Sequence, residues 1–216
     1  MKTKFFLTLA VTLAAFTFSY AQKTTFGIRG GVNFQNLNGE NSGGDDVDGK
    51  IKTGFNAGFN AEIPVGIDFY IQPGVLFSTK GAKANDSDDK INISYVEVPV
   101  NFLYKPELGA GKLLLGFGPY VAFAAGASYK PESGDDIDYK FKNKVSLADI
   151  DDAPYMKRVD AGGNLLVGYE FANKLSFQLN AQLGMININP KIEGIDEGDQ
   201  GKLKNTGFGV SLGYRF

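Results

Sequence analysis

The chain has 216 residues, a formal net charge of −2, and no histidine, cysteine or tryptophan. Lacking His and Cys, it cannot build a Ser-His-Asp or Cys-His nucleophile, a His-ligated metal centre or a disulfide. The acidic long loops argue against a nucleic-acid partner, since phosphates call for Lys/Arg patches.

Lys2 and Lys4 precede an uncharged run from Phe5 to Phe18, and Ser19-Tyr20-Ala21 places small residues before a cut ahead of Gln22. This is the pattern of a secretory signal peptide. The apolar run is about 14 residues, short of the roughly 20 that a membrane-spanning helix needs. The expected division is therefore a signal peptide over 1–21, exported by the Sec route, and one mature domain over 22–216. Losing Lys2 and Lys4 moves the formal charge from −2 to −4.

Eight segments with a period of two follow, the mark of strands with two unlike faces. Phe26, Ile28, Val32 and Phe34 open the series. Phe55, Phe59 and Ile63 form the second apolar set; Phe69, Ile71, Val75 and Phe77 the third; Val96, Val98, Val100 and Phe102 the fourth. Leu113, Leu115, Phe117, Val121 and Phe123 give the fifth, and Val159, Leu165, Val167 and Tyr169 the sixth. Leu175, Phe177, Leu179 and Leu183 give the seventh, and Phe208, Val210, Leu212, Tyr214 and Phe216 the last. Short joins (64–67, 105–111, 172–174) alternate with long polar ones (36–50, 80–90, 130–156, 189–204). Short turns at one end and long loops at the other are the layout of an outer-membrane barrel, and an even strand count puts both termini on the periplasmic side.

Periodicity alone does not say which face is outside, because a soluble barrel alternates too. The polar face is rich in Gly, Asn and Gln with isolated charges, whereas solvated faces carry Lys and Glu. The apolar face is nearly free of charge. Aromatics such as Tyr104, Tyr169, Phe171, Tyr214 and Phe216 gather at strand ends, where a membrane interface favours them. A closed barrel also satisfies every strand edge, as lipid requires. The expectation is an all-β, eight-stranded, antiparallel up-and-down transmembrane barrel. Pro73, Pro99 and Pro119 fall inside strands, lack a ladder donor, and are expected to mark bulges.

The charges on the polar face are Glu62, Glu97, Asp160 and Glu170, with Arg29, Lys52, Arg158 and Arg215. Eight strands enclose a space that side chains fill, so these are expected to form a charge-balanced structural network that plugs the lumen. No catalytic residue, cofactor or metal is expected. The long loops are acidic: Asp45, Asp46 and Asp48; Asp86, Asp88 and Asp89; Asp135, Asp136 and Asp138; Glu193, Asp196, Glu197 and Asp199. None fits the twelve-residue calcium loop, and the expected state is a hydrated surface. The third loop is the longest and the expected place for a partner to bind.

Tyr95-Val96-Glu97-Val98-Pro99-Val100-Asn101, Gly118-Pro119-Tyr120, Gly168-Tyr169-Glu170-Phe171 and Gly213-Tyr214-Arg215-Phe216 together resemble the PorT-like outer-membrane β-barrel proteins of Bacteroidota. The resemblance covers 23–216. It implies an eight-stranded barrel of the OmpA/OmpX-like kind and places two of the prolines where that family has them. It also implies that Tyr214 and Phe216 form the signal read by the barrel-assembly machinery. The function expected is a non-enzymatic outer-membrane protein with a structural or surface-binding role. Its expected partners are membrane lipid, lipopolysaccharide, the assembly machinery and an extracellular or secretion-system protein. The alternatives are a soluble lipocalin-like barrel with Phe55, Phe59 and Phe208 inside, an accessory subunit of a secretion system, and an enzyme using carboxylates such as Glu97 with Asp160.

Overall fold

The structure is a computed structural model that describes residues 23–85, 87–150 and 153–216. The expected signal peptide (1–21) and Asp86 lie outside the described residues. Eight long strands form the body: β1 (Thr25–Glu40), β2 (Lys50–Gly66), β3 (Phe69–Lys83), β4 (Lys90–Tyr104), β5 (Gly111–Lys130), β6 (Val159–Glu170), β7 (Leu175–Gly184) and β8 (Lys202–Arg215). Each pairs antiparallel with its sequence neighbours, and β8 pairs with β1 from Gly27↔Arg215 to Glu40↔Lys202. The sheet therefore closes, and no long strand keeps an unpaired edge. Among the described residues no helix is long and apolar enough to cross a membrane.

The apolar set faces outward. Phe55, Phe59 and Phe208 are 53%, 61% and 51% exposed, on the outer wall, which overturns the lipocalin-like alternative that needs them inside. The outer wall joins aromatics across strands: Phe34 stacks on Phe208 at 5.1 Å, and Phe69 on Tyr104 at 4.8 Å. Phe69, Tyr104, Tyr169, Phe171, Tyr214 and Phe216 form a belt at the short-turn end, with rings in contact at 5.1 Å (Tyr169–Phe171) and 5.5 Å (Tyr214–Phe216). Aromatic rings suit an interface because their faces are apolar and their edges or hydroxyls are polar.

Several strands outrun the expectation. β1 continues to Glu40, β3 to Lys83, and β5 spans 20 residues. A tilted strand crosses a bilayer in about 9–11 residues, so these strands project beyond it at the long-loop end. The prolines mark no bulge: Pro73↔Val100, Pro99↔Tyr120 and Pro119↔Gly163 keep the register of the residues around them. The register shifts instead fall between Ile51 and Asn56, between Pro64 and Gly66, and between Ser94 and Tyr95. Gly118 explains one close approach, since a Cβ there would lie 2.0 Å from the Val100 carbonyl oxygen.

The third and fourth loops are built rather than loose. Tyr155–Met156 pairs with Lys140–Phe141, and Lys144–Val145 pairs with Lys191–Ile192, which ties one loop to the other. Gln200 fastens the fourth loop: its Oε1 accepts from the Ile192 N–H at 3.0 Å and its Nε2 donates to the Ile195 carbonyl at 2.6 Å. Met156 and Ile188 leave the loops and sink into the barrel mouth, joining Leu37, Ile93, Tyr95 and Tyr120 in one buried cluster.

The charged interior as candidate functional site

Alternation sends every second residue of each strand into the lumen, where a charge survives only if it is paired. Two groups of charges result. At the short-turn end, Glu62 of β2 accepts from Arg215 of β8 at 2.6 Å and from Lys105 at 2.7 Å. Lys105 also reaches Glu170 of β6 at 2.9 Å. Gln72 donates to Glu62 Oε1 at 3.2 Å, and Asn101 donates to Gln72 at 3.3 Å. Two cations and two carboxylates balance, and strands from around the circumference meet at one point.

The second group lies towards the long loops. Lys80 of β3 has its Nζ 2.9 Å from Glu97 and 3.6 Å from Asp160, with side-chain exposures of 0%, 1% and 0%. The Tyr120 hydroxyl donates to Asp160 Oδ2 at 3.1 Å, Asn205 donates to the same oxygen at 3.0 Å, and Gln182 donates to Glu97 at 2.9 Å. The Lys80 ammonium also lies over the Tyr120 ring, 4.4 Å from its centroid. Below this group, Arg29 donates to Asn180 at 3.3 Å. It shares with Glu97, Asn33 and Asn56 a polar cavity of about 20 Å³, close to the room one water needs.

The structure thus brings Glu62, Glu170 and Arg215 together, and Glu97 with Asp160. Arg29 is half-buried beside the cavity it shares with Glu97, and Lys52 is buried with its Nζ donating to the Lys80 carbonyl at 3.3 Å. Arg158 departs from the expectation. It precedes β6 at the rim, is exposed, and lays its guanidinium 4.7 Å from the Phe141 ring centroid. By parity it belongs to the inner face, but the wall beneath it has ended, so it leans onto the third loop. Tyr214 and Phe216 sit on the outer aromatic belt.

The alternation by itself misses the two central cations, because it places Lys80 in a loop and Lys105 in a turn. The signal that could have found Lys80 is parity: Leu76, Ser78, Lys80 and Ala82 continue one buried face.

Closed interior, apolar belt and family meet in one comparison. Residues 20–189, well over half the chain, match the family described as outer membrane protein beta-barrel domain. The chain belongs to that family. It is an outer-membrane β-barrel protein with the eight-stranded architecture of OmpA/OmpX-like barrels. No curated protein matches the sequence. Among solved structures, neisserial surface protein A is similar at 14% identity, with 90% of this chain and 100% of that one covered and a TM-score of 0.48. Ail, the attachment invasion locus protein of Yersinia pestis, is similar at 13% identity over the same shares with a TM-score of 0.46. A major outer membrane protein of Thermus thermophilus gives 13% and 0.43, again over 90% and 100%. At these scores the likenesses add nothing to what the closed strand order shows.

Proposed function

We propose that this outer-membrane barrel is a non-enzymatic surface protein whose lumen is plugged. The observation that carries the reading is the sealed group around Lys80. Glu97 and Asp160, the carboxylates best suited to acid–base work, converge on one ammonium and have no exposed surface, so a substrate cannot reach them. Ion pairs at both ends of an eight-stranded interior leave no continuous path for ions. The chain is delivered by its signal peptide, with both termini in the periplasm and the long loops outside. Tyr214 and Phe216 serve as its assembly signal, and within the family it falls among the PorT-like barrels. The tied third and fourth loops, with Leu147 and Ile137 exposed, form the surface that meets an extracellular partner.

Reconstitution into planar lipid bilayers tests the plug. Silent traces at moderate voltage are expected after insertion is verified by heat-modifiable gel migration. Regular conductance steps from the unmodified protein would overturn the reading.

A further inference from the structure

Four lysines stand in cross-strand register at the long-loop end. Lys50 of β2 lies opposite Lys83 of β3, Lys83 opposite Lys90 of β4, and Lys90 opposite Lys130 of β5. Directly opposed residues of antiparallel strands hold their Cβ atoms about 5 Å apart, and like charges there repel. A run of three such pairs is unfavourable unless something negative answers it. The outer two lysines have partners: Lys130 meets Asp136 at 2.5 Å, and Lys50 donates to the Asn85 carbonyl. The central two differ: among the described residues no carboxylate lies within ion-pair distance of Lys83 or Lys90. Asp89, next to Lys90 in sequence, is engaged elsewhere: it accepts from the Tyr129 hydroxyl and from the Glu132 N–H, both at 2.7 Å. Lys52 adds a further positive charge within electrostatic reach of both.

Three lysines of the row face outward. Ala82, Ile91 and Ala127 belong to or pack on the interior cluster, so alternation puts Lys83, Lys90 and Lys130 on the outer wall. Beneath them, Phe77, Val96 and Phe123 lie opposite one another and are the last exposed large apolar side chains of those strands. Lys83 is six residues beyond Phe77, and Lys90 six before Val96. At about 3.3 Å per residue and a tilt near 40°, the lysines stand about 15 Å above that row. This is past the acyl chains and above the headgroup layer, which is about 5–8 Å thick, and long lysine stems lean back towards that layer.

We propose that the Lys50–Lys83–Lys90–Lys130 row binds the phosphate groups of an anionic glycolipid in the outer leaflet. The lipid supplies the negative charge that no described carboxylate brings to Lys83 and Lys90. An occupant from the membrane fits because the row continues the lipid-facing wall. The inference rests on the reading that the long loops face outside.

The test uses the mature chain refolded into phosphatidylcholine vesicles, alone or with lipid A carrying its phosphates, and follows the thermal midpoint of the gel-mobility shift. Phosphorylated lipid A is expected to raise the midpoint by about 5 °C or more, while dephosphorylated lipid A and millimolar inorganic phosphate leave it unchanged. In K83Q/K90Q the lipid A increment is lost, yet the variant in phosphatidylcholine alone melts at or above the unmodified protein because the repulsion is relieved. K83R/K90R keeps the increment. An equal increment in K83Q/K90Q, or its loss in K83R/K90R, overturns the site. The same increment from inorganic phosphate or from dephosphorylated lipid A overturns the lipid phosphate as occupant. Failure of the unmodified chain to become heat-modifiable in any vesicle would instead sink the membrane-barrel reading.

Discussion

Lys80 and Glu97 meet at 2.9 Å across neighbouring strands, and neither side chain is exposed. Breaking a buried pair by removing one partner costs about 3–5 kcal/mol, because the other charge stays buried without its counter-ion. Lys80→Met strands both Glu97 and Asp160 and is expected to lower stability by about that amount, read as a leftward shift of the urea midpoint of folding into vesicles. Lys80→Met combined with Glu97→Gln and Asp160→Asn should recover most of the loss. A triple variant as weak as the single would show that packing, not charge, governs the site.

Glu62 and Glu170 share Lys105, but their burdens differ. Glu62 also holds Arg215, whereas among the described residues Glu170 has Lys105 alone, and it is more exposed. Glu62→Gln is therefore expected to destabilise by about 2–4 kcal/mol and Glu170→Gln by about 1 kcal/mol. Urea midpoints measured side by side check the order, and the reverse order would contradict the geometry.

Gly118 and Gly126 lie on the same strand and make opposite predictions. A Cβ at Gly118 meets the Val100 carbonyl oxygen at 2.0 Å, while one at Gly126 meets nothing within 4 Å. Gly118→Ala should sharply reduce the folded, heat-modifiable yield, and Gly126→Ala should leave it unchanged.

Asp149 in the third loop accepts from Lys142 Nζ at 2.7 Å and from the Ser146 N–H at 3.0 Å, and these bonds hold its carboxyl down at about 2. A carboxyl whose folded value is depressed contributes stability above its unfolded value, near 4, and loses it as the pH falls towards 2. The protection of amides 142–149 against hydrogen exchange, taken relative to the intrinsic rate at each pH, should fall across that window. Asp149→Asn should flatten the response.

Phe208 is half-exposed on the outer wall, stacked on Phe34. A spin label at this position in vesicles should collide readily with lipid-soluble oxygen and poorly with a water-soluble nickel reagent. The opposite preference would place that wall in water.

Alternation of small polar with large apolar residues determined the strand count, the two faces and the rhythm of short and long connections, because the side-chain period of a strand is a local property. Glu62, Glu97 and Asp160 were legible as inward for the same reason. Lys80 was not. Its neighbours Gly81, Ala82 and Lys83 stand past the lipid layer, where the outer face needs no large apolar residue and the period fades, although the pairing continues to Lys83. Lys105 reaches Glu62 and Glu170 only because strands distant in sequence close around it. The bond between the third and fourth loops, the seat of Arg158 on Phe141 and the lysine row across four strands depend on register, and register depends on barrel closure. Local residue patterns chose the wall and its faces; the closed sheet decided which charges meet.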